Sequence, residues 1–434
     1  MANSGENSSI HSSSLEPFEI CYIRPPTENY SLTFRLTRNC GWNRCSFCPV
    51  YKGDTPFSRK TTDEIQQDID RAGRIDERLR EMGILTIKSP EEAFARAEAL
   101  IHEEEQKRQK ETGVPGPRKT ENAEDTLHTG WFSSWFKQES TLRDGIFHIL
   151  SWRLNGGETC FLGDANSLLL SGDFFRDVLT RVKRTFPSIR RFTIYGRTAS
   201  AARKPLDELT TFREAGLHRI HFGLESGSDR VLRFMNKGET AEQHIAGCRK
   251  TREAGLSCSV YVMPGLGGAV WSDEHARETA RVINESSPDF VRLRSLEVFP
   301  GTPLETAVRN GTFTEASEEQ VAGEIRQLIT GIRINTTLFS DSASNLLAVN
   351  GHLPQDKDKM LSLIDRYLSL PPRAKLEFSA MSRLNAFTGQ YGGLSHEIFK
   401  ALEPCLRGEQ LDFTTATDNE IRGLIRLIRS RLMP

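Results

Sequence analysis

Between residues 158 and 296 the chain alternates short β-prone apolar runs with amphipathic stretches of helical period, and that alternation most constrains its fold. Strands are expected at 160–162, 191–195, 219–224, 257–263 and 290–296, with helices at 174–185, 205–215, 240–254 and 273–283 between them. Two helices end in the same five residues, Arg213-Glu214-Ala215-Gly216-Leu217 and Arg252-Glu253-Ala254-Gly255-Leu256, with glycine where a left-handed C-cap leads into a strand. Strands joined through helices pair in parallel, so the sheet is expected to be parallel with its helices outside. A further strand at 31–37 brings the number of units to six, and the pattern changes near Pro300, before eight are reached. The expected fold is α/β, a partial (β/α)6 TIM-like barrel with a helical insertion and a helical C-terminal extension.

Chemistry in such barrels gathers at the C-terminal ends of strands. There the first strand delivers Cys40-Gly41-Trp42-Asn43-Arg44-Cys45-Ser46-Phe47-Cys48, three cysteines in nine residues. Flanked by Arg38, Asn39, Asn43 and Arg44, they read as a ligand set rather than as core. Three thiolates on one loop can hold three corners of an iron-sulfur cluster and leave the fourth iron open. Zinc is the rival, but it favours four closed ligands, and no second C-x2-C, C-x2-H or H-x3-H pair closes such a site. His218 and His221, three apart on a strand, face opposite ways. Cys21, Cys160, Cys248, Cys258 and Cys405 are scattered singly, which argues against an auxiliary cluster and against a disulfide framework.

The other strand ends carry Gly163-Asp164-Ala165-Asn166, Gly196-Arg197-Thr198, Glu225-Ser226-Gly227-Ser228, Pro264-Gly265-Leu266-Gly267-Gly268 and Glu297 with Phe299-Pro300-Gly301. Residues 1–18 are polar and serine-rich and are expected to be disordered. A short edge strand is expected at 18–23, ended by Arg24-Pro25-Pro26. A helix follows at 59–80 with Thr62 as its N-cap. Residues 82–155 interrupt the core, with a charged helix at 90–110, a Gly/Pro-bearing connector, and the aromatic pairs Trp131-Phe132 and Trp135-Phe136. By position alone this insertion is expected to be the substrate-specific part. The domains are therefore a disordered start (1–18), the core barrel (19–305) with its insertion (82–155), and a helical extension (306–434). In the extension the polar loop at 340–345, with Asp341 and Asn345, is explained by capping and turn formation.

Net charge is −1, which gives no global electrostatic signal for nucleic acid. No apolar run reaches membrane-spanning length, and the start Met1-Ala2-Asn3-Ser4-Gly5 has no signal core, so a cytoplasmic protein is expected.

The cysteine loop with Phe47 before its last cysteine, the run Gly223-Leu224-Glu225-Ser226-Gly227-Ser228-Asp229, and Met235-Asn236-Lys237-Gly238 together resemble the radical S-adenosylmethionine superfamily over roughly residues 30 to 305. The core is similar to the oxygen-independent coproporphyrinogen oxidase and methylthiotransferase branch. The C-x4-C-x2-C spacing, one residue longer than the usual C-x3-C-x2-C, looks like a group that also shows Arg24-Pro25-Pro26, Trp42-Asn43 and the run from Met263 to Gly268. The resemblance implies a [4Fe-4S] cluster on Cys40, Cys45 and Cys48, and an open iron chelating S-adenosyl-L-methionine. One electron from a donor such as flavodoxin or ferredoxin then yields a 5′-deoxyadenosyl radical, which abstracts hydrogen from an unknown substrate. It implies contacts to the cofactor's amino group near Gly163 and Asp164, ribose contact at Glu225 beside Ser226, carboxylate contact at Lys237 or Arg197, and adenine contact around Phe47 and Met263. Catalytic residues toward the substrate are not identified. The alternatives are an iron-sulfur regulatory or electron-transfer protein, with a fourth thiolate from Cys21 or Cys160, and a zinc-stabilised RNA-binding module.

Overall fold

The computed structural model describes residues 14–52, 56–112, 140–408 and 410–432. Ten strands matter here: β1 (Leu32–Arg35), β2 (Thr37–Arg38), β3 (Ser58–Arg59), β4 (Thr159–Gly163), β5 (Arg191–Gly196), β6 (Leu217–Glu225), β7 (Ser257–Val262), β8 (Phe290–Leu293), β9 (Thr336–Phe339) and β10 (Gly351–Leu353). The main sheet runs β1-β4-β5-β6-β7-β8-β9-β10. All its ladders are parallel from β1 to β9, and β10 returns antiparallel to β9. The six expected strands are the first six of this sheet, in chain order, each with a buried central run, as suits parallel strands between helices.

Several local expectations are corrected. Residues 18–23 form no strand; the Glu19 and Ile20 amides donate instead to Asp68 Oδ1 (3.2 Å) and Ser140 Oγ (3.0 Å), so side chains satisfy the backbone that a ladder would have used. Part of the start expected to be disordered is packed: Leu15 and Phe18 are buried in the core, and the Leu15 amide donates to Glu104 Oε2 at 3.0 Å. The helix expected from 59 begins at Thr62 and runs to Glu81, capped by Thr61 rather than Thr62, because Glu64 completes a reciprocal capping box with Thr61. Arg59 is drawn instead into β3, which pairs with β2. The helix Gly268–Ser286 starts earlier than expected, at the end of the glycine run.

Helices Thr62–Glu81, Pro90–Thr112 and Leu142–Leu154 stand between β1 and β4 and bury Ile69, Leu79, Ala97, Leu100, Ile146 and Ile149 in the same core as the sheet. Trp152, 1% exposed, pins the last of them to β4 by donating from Nε1 to the Thr159 carbonyl (3.0 Å) while meeting Phe186 edge-on. Trp152→Ala should cost about 3–5 kcal/mol in denaturant unfolding; a loss under about 1 kcal/mol would show that this helix is not integral to the core. The aromatic pairs at 131–136 lie outside the described residues.

The sheet continues past residue 305, taking β9 and β10 from the stretch expected to be a separate extension. Beyond it, Pro372–Tyr391 and Asp418–Ser430 pack Leu376, Ala380 and Leu384 against Ile421, Leu424 and Ile428 in a second core. A buried carboxylate joins the two cores: Glu297, after β8, accepts from Arg429 Nε (2.7 Å) and lies 3.5 Å from Arg383 Nη1.

Candidate functional site

The C-terminal ends of the parallel strands open on one cavity of about 420 Å³. Cys40, Cys45 and Cys48 line it, with Phe47, Arg197, Glu225, Lys237 and Met263. Among the described residues no three His, Cys, Asp or Glu side chains converge as the ligands of a single ion would. A four-iron cluster differs in taking one thiolate per iron.

Two left-handed residues shape the start of the cysteine loop. Asn39 (φ 67°) and Asn43 (φ 42°) both adopt the conformation asparagine tolerates better than most residues, and Cys40 Sγ accepts from the Asn43 amide at 3.4 Å. The loop is then latched to the Met235–Gly238 turn and to a helix: Ser46 N donates to the Met235 carbonyl (2.8 Å), the Ser46 carbonyl accepts from Leu304 N (3.0 Å), and Trp42 Nε1 donates to the Asn236 carbonyl (2.8 Å). The Trp42 indole lies on Gly238, where any Cβ would occupy the ring's place. Three segments far apart in sequence thus become one wall.

Lys237 is the hub of that wall. Its Nζ stands 3.4 Å from Glu225 Oε1 and 3.7 Å from Glu239 Oε2. Burial disfavours its charge, but Glu225, Glu239 and Cys45 outweigh burial and hold its pKa above the usual lysine range. Glu225 is a strained residue, with φ 63° at a register shift where β6 pairs with β7. Gly223 makes room for it, since a Cβ there would meet Glu225 Oε1 and Lys237 Nζ. Arg197 donates from Nη2 to the carbonyls of Lys237 (2.7 Å) and Gly238 (3.1 Å), pairs with Glu239 (3.3 Å), and lies over the Trp42 ring. Burial pushes the Cys45 thiol up to about 11, with Lys237 pulling the other way and Cys48 adding to the rise; burial also raises Cys48. Metal ligation needs thiolates, so loading this loop must release protons.

Three expected contact residues do not line the cavity. Gly163 packs against Cys21, and Asp164 lies beneath Tyr51, taking its hydroxyl hydrogen bond (2.5 Å), with Arg35 Nε 3.6 Å away. Ser226 is buried behind the wall, 2.7 Å from His275 Nδ1, and accepts from the Ser228 amide. These two polar residues therefore brace the strand ends rather than face the cavity. Burial outweighs Arg35 and Tyr51 and raises the Asp164 carboxyl to about 6. An unfolded aspartate ionises near 4, so this contribution to stability is complete below about pH 4 and is lost as pH rises through about 6. Asp164→Asn does not titrate, so its stability relative to the wild type should rise by up to about 3 kcal/mol between pH 4 and pH 7. Urea unfolding at the two values checks this, and parallel curves would refute it.

The cavity also takes Tyr22, Arg24, Tyr195, Tyr261 and Asp341, which sequence reasoning did not place there. Tyr195 and Tyr261 were legible in principle, as polar-tipped residues near the ends of expected strands. Asp341, expected only to form a turn, is brought to the rim by its ion pair with Arg292 (2.6 Å). Asn345 does serve the chain, accepting from Ser295 N (2.8 Å) and donating to the Leu293 carbonyl (2.7 Å). Among the described residues, none from 82–155 lines the cavity.

Comparison with known proteins gives one stretch of the chain its class. Residues 145–281 match the model of the Radical SAM superfamily, so the chain carries a radical SAM domain. A domain of this kind implies a [4Fe-4S] cluster and S-adenosyl-L-methionine as cofactors. The cysteine loop lies outside the matched stretch. A tRNA uridine(34) acetyltransferase of Methanocaldococcus infernus is 25% identical over 114 residues, 26% of this chain and 21% of that protein. A tRNA-2-methylthio-N(6)-dimethylallyladenosine synthase of Bifidobacterium adolescentis is 35% identical over 94 residues, 20% of this chain and 18% of that protein. The chain thus spans about a fifth of the length of the curated relatives it matches. Among solved structures, the cobalamin-dependent S-adenosylmethionine radical enzyme OxsB aligns over 93% of this chain and 58% of that one, with a TM-score of 0.39 and 12% identity. Among the described residues no helix is long and apolar enough to cross a membrane.

Proposed function

We propose that the chain reductively cleaves S-adenosyl-L-methionine in this cavity and directs the product radical at a substrate held beside it. The observation that carries the reading is that Cys40, Cys45, Cys48, Glu225 and Lys237 share one cavity wall, while the other candidate thiols do not. Cys21 is buried against Gly163, its pKa raised to about 12 by burial and then Asp164, and Cys160 is buried in β4. Neither is placed to supply the fourth thiolate that a purely regulatory or electron-transfer cluster would use.

Cys40, Cys45 and Cys48 would hold the cluster, and the chemistry it supplies there is one electron to the bound sulfonium, giving methionine and a 5′-deoxyadenosyl radical that takes a substrate hydrogen atom. The chain's residues do the positioning. Glu225 presents a carboxylate to hydroxyl donors such as those of a ribose. Lys237 fixes that carboxylate, and its remaining N–H groups suit the cofactor's carboxylate. Arg197 holds the Lys237–Gly238 carbonyls in place. Phe47 and Met263, packed in an apolar cluster with Leu266 and Met235, form the dry wall suited to an adenine. An external one-electron donor, of the flavodoxin or ferredoxin kind, completes the reaction.

The test is anaerobic reconstitution with iron and sulfide, reduction, and addition of S-adenosyl-L-methionine, with 5′-deoxyadenosine followed by chromatography. Its formation, or a change in the reduced cluster's electron paramagnetic resonance on adding S-adenosyl-L-methionine, is the expected result. A protein that retains zinc and assembles no cluster would overturn the reading.

A further inference from the structure

The run Arg24-Pro25-Pro26 has no part in the chemistry assigned so far, yet Arg24 lines the cavity. The side chains whose charge would act on it most strongly are Cys21, Tyr22, Tyr195 and Glu28. Arg24 Nη1 donates to the Cys21 carbonyl at 3.4 Å, and its Nε is fully buried with no acceptor. Among the described residues it has no carboxylate partner within ion-pair distance.

The acids that might have neutralised it are engaged elsewhere. Glu28 accepts from Ser31 (2.5 Å) and from Arg191 (3.1 Å). Asp164 faces Arg35, Asp341 pairs with Arg292, and Glu297 pairs with Arg429 and Arg383. Burial also holds the Arg24 pKa below the usual arginine range. A guanidinium partly buried without a counter-charge is costly, and one on a cavity wall is relieved by an anion entering the cavity to meet its accessible Nη groups. Its planar fork matches a carboxylate or phosphate in two-point contact, and the rings of Tyr22 and Tyr195 beside it suit the ligand's carbon body.

We infer that the substrate is a small organic anion whose carboxylate or phosphate docks on Arg24. This rests on the radical-enzyme reading of the same cavity, and it gives that reading a substrate class.

The test titrates benzoate, phenyl phosphate and uncharged benzyl alcohol into wild type, Arg24→Gln and Arg24→Lys by calorimetry, with and without reconstituted cluster and S-adenosyl-L-methionine. Expected is binding of at least one anion to the wild type, weakened about tenfold or more in Arg24→Gln, largely retained in Arg24→Lys, and absent for the alcohol. A preference for phenyl phosphate over benzoate would make the docking group a phosphate, and the reverse a carboxylate. Arg24→Gln should keep the response of the reduced cluster to S-adenosyl-L-methionine. Equal anion binding by Arg24→Gln and wild type, or no anion binding by wild type, overturns the inference. Loss of the S-adenosyl-L-methionine response in Arg24→Gln also overturns it, since Arg24 would then serve the cofactor's own carboxylate. Anion binding that depends on Arg24 in a wild type without any response to S-adenosyl-L-methionine would instead sink the radical-enzyme reading.

Discussion

Cys45→Ala should assemble no cluster that responds to S-adenosyl-L-methionine, and its 5′-deoxyadenosine yield should fall more than about a hundredfold, to background. Even outer-shell substitutions at metal sites cost ten- to a hundredfold, and this one removes a ligand outright. Cys45 sits between the other two thiols in sequence, and the charge of the Lys237 hub acts on it. The change is small in the metal-free fold, because Cys45 packs only at the edge of the Phe47 cluster. Loss of function with an unchanged melting temperature is therefore the pattern to look for. Cys160→Ala is the matched control: buried in β4 and away from the cavity, it should keep full cluster content. Equal loss in both variants would mean that the ligand set has been misassigned.

Gly238→Ala should be a strongly damaging single-methyl change in the wall of the site. Gly238 has φ 67°, a conformation that costs an L-residue about 1–2 kcal/mol, and its missing side chain is the seat of the Trp42 indole. A methyl group must push the ring off, which releases the Trp42 bond to the Asn236 carbonyl and the stacking of Arg197 on the ring. The expected total is about 2–4 kcal/mol of stability, with iron content after reconstitution falling in step. Trp42→Ala vacates that space, so combining it with Gly238→Ala should restore tolerance of the added methyl group. A double variant no better than Gly238→Ala alone would place the damage in the backbone and not in the docking.

Much of this site was legible in the sequence because its residues sit at strand ends, and strand ends follow from the periodicity. Cys40, Cys45, Cys48, Phe47, Arg197, Glu225 and Met263 line the cavity for that reason, whereas Lys237, in the turn after the helix Asp229–Phe234, was legible only through the resemblance carried by Met235-Asn236-Lys237-Gly238. The expectation that Gly163 and Asp164 would join them failed on burial: Asp164 is drawn down to Arg35 and Tyr51, and no local pattern reveals a partner that close in space and that far away in the chain. The same holds for Arg24 and Asp341, which reach the cavity from irregular segments. Strands β9 and β10 were missed because four- and three-residue strands between helices carry too little periodicity to register. Thr61 displaced Thr62 as the cap because Glu64 is three residues from Thr61, a spacing visible in the sequence but overlooked.

Glu297 lines the cavity with its side chain 7% exposed, while the arginines that neutralise it belong to the C-terminal helices. Pulling those helices away would strand a carboxylate in a low-dielectric wall, so their detachment carries a penalty beyond the apolar surface they uncover. The C-terminal helices are consequently part of the cavity's electrostatics, and a fragment ending after β10 would lack both of the arginines that neutralise Glu297.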